Sequence, residues 1–265
     1  MKTKFRDYSN VSENIKLNYR LARKNQNTQL YQYILNNFNN RDKKFYNFWE
    51  IMYKLNNFID ISDPDISLPN TYHLFQSAEK ARHDKQPKWF QLVCLIHDLG
   101  KIQGFIDEDK DNGLSVDNQW AIVGDTFILG CKIPNTIIFP EFNNLNSENL
   151  KKDNLGIYKE NCGLNNTMVS WGHDEFLYRT LLNNNHKLPE EALYIIRYHS
   201  LYLWHKENEY KFLENDKDKK MKYWVQKFNK YYLYKKKNEK LNIEELKQYY
   251  SKLFIEFFGN LNILI

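Results

Sequence analysis

The sequence predicts a mainly α-helical protein, a compact helical bundle with a few short extended segments, and three observations lead there. Glycine and proline are scarce, 9 and 6 in 265 residues, which disfavours the turn-dense layout of a sandwich or barrel. Apolar residues recur mostly at helical rather than alternating spacing. Start and stop residues bound those stretches. Gly100 closes one of them, and Pro189, followed by Glu190 and Glu191, opens another with acids that complement the helix dipole.

In chain order, residues 10–36 carry Ile15, Leu17, Tyr19, Leu30, Tyr33 and Ile34 among polar neighbours, a helical pattern. Residues 44–58 form a wide apolar stripe of Phe45, Phe48, Ile51, Met52 and Leu55. The polar run ISDPDISLPN follows, and its two prolines break helix on either side. Two short helices are expected at 72–83 and 88–99, the second with Trp89, Leu92, Val93 and Ile96 on one face. Residues 105–150 are the least helical, and WAIVGDTFILGC and NTIIFPEF suit short strands or extended segments lining a pocket. Helices return at 167–182, 189–205, 221–236 and 243–258. No repeat or linker divides the chain, so residues 1–265 are expected to form one domain.

Composition excludes several functions. The net charge of +5 arises late, where lysines and tyrosines interleave over residues 206–240, a pattern that can suit nucleic acid. Lys and Tyr are abundant throughout, however, and no binding motif accompanies the charge, so no nucleic-acid partner is expected. No run approaches the roughly 18 apolar residues of a membrane span, and MKTKFRDYSN lacks a secretory apolar stretch. A soluble intracellular protein without a membrane partner is the expectation. Cys94, Cys131 and Cys162 form no CxxC, which argues against a disulfide scaffold or zinc ribbon. Without GxGxxG, GxxxxGK[ST] or GxSxG, nucleotide-binding and serine-hydrolase readings lack support.

The histidines carry more. His97 lies four residues after Val93, His173 three before Phe176, and His199 three after Ile196, each on an apolar side; His73 stands beside Leu74 and Phe75. His83, His186 and His205 have polar or charged neighbours near helix ends. A single histidine on an apolar face is more often a hydrogen-bonded core residue than a ligand. Four of them on four helices, with Asp98 directly after His97, form a pattern by which helical bundles hold transition metals. Nitrogen and carboxylate donors without thiolate suit iron or manganese, with zinc still open. The carboxylate of Asp98 could bridge two ions. Lys101, three residues after Asp98, would project to the same side, or serve merely as a capping lysine at a helix end. Asp125, inside the apolar stretch AIVGDTFIL, needs a partner or a ligand unless it is a turn residue, and Asp63–Asp65 reads most simply as a turn.

The runs YHLFQSAEKAR, WFQLVCLIHDLGK, QWAIVGDTF, FPEF, CGLNNTMVSWGHDEFLY, LPEEALYIIRYHSLYLWH and WVQKFNK closely resemble the myo-inositol oxygenase family of the HD-domain superfamily. The resemblance extends from FRDY at Phe5 almost to the C-terminus. It implies a cytoplasmic, HD-domain-like helical enzyme, expected as a monomer, that uses two iron ions and dioxygen to cleave myo-inositol to D-glucuronate. Carried over by motif, His73, His97 and Asp98 would bind one iron, and Asp98 would bridge to a second held by His173 and His199. Arg6, Asp63, Pro64, Asp65, Lys101, Gly124, Asp125, His199 and Ser200 would meet the polyol, with Lys101 catalytic. In FNKYYLYKK, Tyr232 stands where the family ordinarily has an aspartate ligand to the first iron. No Asp or Glu lies between Asp218 and Glu239 to replace it. Two other readings stay open on the sequence, an HD-type metal phosphohydrolase and a degenerate oxygenase with an impaired first iron site.

Overall fold

A computed structural model describes residues 7–64, 70–149, 153–232 and 241–265. The architecture is mainly helical, as the sequence predicts, with one small two-stranded sheet. Helix α1 (Glu13–Asn25) begins where the Ser12 side chain accepts from the Ile15 N–H, and α2 (Thr28–Asn40) where Asn27 accepts from Leu30. The expected helix over 10–36 is thus two helices. Asn27 competes for the backbone as a cap, and Gln26 turns inward, exchanging two hydrogen bonds of 2.7 and 2.9 Å with the Trp171 backbone. Strand β1 (Phe45–Asn47) and α3 (Phe48–Leu55) divide the next stripe, with a capping box between Asn47 and Glu50.

Helices α4 (Asn70–His83) and α5 (Lys88–Ile96) pack against each other, and Phe90 through Ile96 of α5 are buried. Each wholly buried Val, Leu or Ile there contributes about 1.5–3 kcal/mol. The chain leaves α-helix three residues before the expected end at 99. His97 and Asp98 form a turn, a 3-10 turn runs Leu99–Ile102, and α6 follows at Gln103–Ile106.

Residues 107–172 contain little regular structure. The expected extended segments reduce to isolated bridges, including Ile128↔Val169, while NTIIFPEF ends in a 3-10 turn at Pro140–Leu145. Ile128 pairs at a single point, so no strand propagates. Helix α7 (His173–Leu182) starts six residues later than the expected 167, after Gly172, and packs on α8 (Glu190–Tyr198). The expected helix 189–205 breaks after Tyr198 and resumes as α9 (Tyr202–His205). The Ser200 N–H donates to Asp174 instead of continuing the ladder. Helix α10 (Asp216–Tyr232) packs across α8 and α4, and α11 (Ile243–Phe258) across α5. Residues 233–236 of the expected helix over 221–236 lie outside the described residues. Strand β2 (Asn262–Leu264) pairs antiparallel with β1, Phe45 opposite Leu264. No helix among the described residues is long and apolar enough to cross a membrane. Cys94, Cys131 and Cys162 are free thiols.

Candidate metal centre

The centre is assembled from helix ends. His97 is the first residue past α5, His199 the first past α8, His173 opens α7, and His73 lies near the start of α4. Gly100 lets these ends meet. A Cβ at this position would stand 2.0 Å from the His173 carbonyl oxygen, so any side chain would push α7 away from the turn that carries Asp98. In sequence this glycine reads only as a helix stop; its role in close approach comes from the fold.

Two overlapping donor groups result, His73 with His97 and Asp98, and Asp98 with His173 and His199. Within each group the candidate atoms lie within 4.8 Å of one another, and every residue is buried. The backbone sets the ring tautomers. Nδ1–H of His97 donates to the Cys94 carbonyl at 3.0 Å, that of His173 to Ile122 at 2.7 Å, and that of His199 to Ile196 at 3.0 Å. Nε2 of each ring therefore faces inward, as metal-binding histidines require. Burial lowers the His97 pKa to about 3 and also lowers that of His199, so both are neutral. Burial opposes charge on His173 as well, but Asp174 and Asp98 outweigh it and raise that pKa to about 10. The His173 proton occupies a place that a cation would take over on binding. Burial opposes ionisation of Asp98, yet Lys101 and His97 hold it well below the usual carboxylate range.

Inorganic fit can be judged from the polar atoms. Among the described residues, His97 Nε2 and Asp98 Oδ1 are buried with no hydrogen-bond partner. Such groups are costly unless something satisfies them. Imidazole nitrogen and carboxylate oxygen together suit iron, so the residues fit that group.

Lys101 is 2% exposed, and its Nζ donates to Asp98 Oδ2 and Asp60 Oδ2, both at 2.8 Å. The capping-lysine alternative is thereby corrected, because this lysine is interior, and two carboxylates raise its pKa despite burial. Asp60 was missed by sequence reasoning, although it lies in the same loop as Asp63. Asp174 was missed too. Its Oδ1 lies 2.7 Å from His173 Nε2 and 3.3 Å from His199 Nε2, and it accepts from the Ser200 N–H and hydroxyl. The signal was available, since His173–Asp174 repeats the His97–Asp98 dipeptide. His205 is likewise buried, not exposed at a helix end. Its Nε2–H donates to the His199 carbonyl at 3.0 Å and its Nδ1 accepts from Asn229 at 2.9 Å, tying α10 to the ligand turn.

Other expected site residues surround this core. The loop with Gly124 and Asp125 is pinned on both sides, by the His173 N–H to Ile122 and by the Thr126 N–H to Ser200. Gly124 has φ of +111°, where a side chain would be strained. The Tyr19 hydroxyl donates to Asp125 Oδ1 at 3.5 Å. Asp63 and Pro64 follow Ser62, whose N–H and hydroxyl donate to Asp60 at 2.8 and 2.7 Å. Arg6 and Asp65 lie outside the described residues.

A family profile described as Myo-inositol oxygenase matches residues 12–264. An inositol oxygenase of Dictyostelium discoideum is 40% identical over 97% of this chain and 88% of its own length. Inositol oxygenase 4 of Arabidopsis thaliana is 40% identical over 96% of this chain and 80% of its own. An inositol oxygenase of Danio rerio is 41% identical over 75% of this chain and 70% of its own.

Proposed function

The chain belongs to the myo-inositol oxygenase family, and from that premise we propose that it cleaves myo-inositol with dioxygen to D-glucuronate at a centre of two iron ions. The observation that carries this reading is the pair of donor groups sharing Asp98. His73, His97 and Asp98 would hold one ion, and Asp98, His173 and His199 the other. Iron, when bound, supplies Lewis acidity and redox chemistry.

The remaining roles fall to the protein. Lys101 keeps its charge between Asp60 and Asp98, so it acts as a hydrogen-bond donor rather than as a free base. An ammonium has three N–H groups, and the third is suited to a ring hydroxyl as that hydroxyl gives up its proton at the centre. Asp174, bonded to Ser200, holds the Ser200 turn beside His199 and sets its hydroxyl for a second polyol oxygen. Asp125 offers an acceptor on the loop against His173. Paired donors and acceptors of this kind suit a neutral polyol. A phosphate ester would call for an uncompensated cation, whereas Lys101 is already engaged by two carboxylates. That argues against a phosphohydrolase.

Two assays on the iron-loaded chain test the proposal. Glucuronate should form from myo-inositol only with iron and dioxygen, and no phosphate should be released from phosphoesters. Phosphate release without oxygen, and no glucuronate, would overturn it.

A further inference from the structure

The last turn of α10 brings two aromatic rings to the histidines of the centre. Tyr232 meets His73 and His97 edge to face, with ring centres 5.1 and 5.2 Å apart, and lies 5.9 Å from His199. Phe228, one turn earlier, is almost parallel to it at 5.9 Å, with 19° between the planes, and itself packs 5.1 Å from His97. Neighbouring rings thus fix the plane of Tyr232 against the first donor group. That group offers two imidazoles and one carboxylate that a second ion would share. Asp174 cannot complete it from its observed position, because its carboxylate is committed to His173, His199 and Ser200. A trivalent iron ion there would be stabilised by a further anionic donor. Tyr232 packs against both imidazoles and carries a hard oxygen donor, and tyrosinate is an established ligand of ferric iron.

We propose that the phenol oxygen of Tyr232 binds the ion held by His73, His97 and Asp98. The inference rests on the reading of this centre as an iron site. On binding, the phenol O–H bond breaks, the oxygen donates an electron pair to ferric iron, and the proton passes to solvent, with no change of oxidation state. The charge of a carboxylate ligand is thereby kept while the ligand itself is changed.

The test compares the full chain with Tyr232→Phe and Tyr232→Asp, each loaded with ferric iron and measured for iron per folded chain and visible absorption. The parent should bind two irons and show tyrosinate-to-iron absorption, with tyrosine ring vibrations enhanced in Raman spectra excited there. Tyr232→Phe should lose the absorption completely, and its iron count should fall from two toward one. Tyr232→Asp should hold two irons without the absorption. A colourless parent with two irons, or absorption that survives Tyr232→Phe, would overturn the proposal. So would a parent with one iron that gains a second in Tyr232→Asp, since the ring would then exclude the ion. If circular dichroism shows that Tyr232→Phe does not fold, the parent and Tyr232→Asp at equal iron decide by the same absorption. Glucuronate made by a colourless two-iron protein overturns the ligation alone, and a coloured two-iron protein that makes none overturns the proposed function alone.

Discussion

The first turn of α7 places two buried charged clusters side by side. Glu175 faces one way and accepts from the Tyr31 hydroxyl at 2.8 Å, Arg179 Nε at 2.8 Å and Arg197 Nε at 2.7 Å. Arg197 in turn reaches Asn165, the Tyr198 hydroxyl and the Thr167 carbonyl, so the cluster is closed on itself. Asp174 and His173, one and two residues earlier, face the centre, where His97 Nε2 and Asp98 Oδ1 have no hydrogen-bond partner among the described residues and Asp98 Oδ1 meets the charged His173 ring at 3.2 Å. Both are largely buried, and only the second keeps unused donor capacity. A saturated cluster fixes a fold; an unsaturated one holds a place for something else.

The largest difference should appear on removing the shared ligand. Asp98→Asn is expected to lose both ions and more than about 100-fold in turnover per folded molecule, beyond what loss of an outer partner costs. Iron counting and a glucuronate assay measure this, with circular dichroism retaining the helical signal. Glu175→Gln should do the reverse. Breaking a buried pair costs about 3–5 kcal/mol, visible in denaturant unfolding, while iron per folded chain stays unchanged. A variant of Glu175 that lost iron without losing stability would erase the distinction.

Lys101→Met tests the seam between the two classes. It leaves Asp98 and Asp60 buried without their cation, so the iron-free protein should be destabilised more than the iron-loaded one, in which the ions neutralise Asp98. Turnover should fall in either case. Equal destabilisation with and without iron would show that Asp98 does not face the metal. Chelation of the native protein should cost less, about 2.7 kcal/mol where free iron had stood at 100 times its dissociation constant.

Acid supplies the smallest effect. Burial alone would raise the Glu175 pKa, but Arg197 and Arg179 hold it below its usual value. Its stabilisation is therefore complete above the unfolded glutamate pKa of about 4.3 and is lost as pH falls through the lower folded value. Glu175→Gln should flatten that part of the acid-unfolding curve, and an unaltered curve would count against the cluster.

Sequence and structure agree where the signal is local. The four centre histidines were legible because His97, His173 and His199 lie by apolar residues at helical spacing and His73 stands beside Leu74 and Phe75, and α11 fell at its expected bounds. Helix breaks were less legible. Those at Gln26, His97 and Ser200 arise where a side chain from elsewhere, or the histidine itself, takes over a backbone group: Asn146 donates to the Gln26 carbonyl, His97 to the Cys94 carbonyl, and Asp174 accepts from the Ser200 N–H. Asp60, Asp174 and His205 were missed for a related reason. The partners that give them a role lie elsewhere in the chain, and only the fold shows that Asp60 meets Lys101, that Asp174 reaches Ser200, and that His205 supports His199.

Diffraction from iron-loaded crystals on either side of the iron absorption edge tests the central claim most directly. Two anomalous peaks per chain are expected, one among His73, His97 and Asp98 and the other among Asp98, His173 and His199, with Asp98 touching both. A single peak, or two peaks that leave Asp98 without an iron contact, would contradict it.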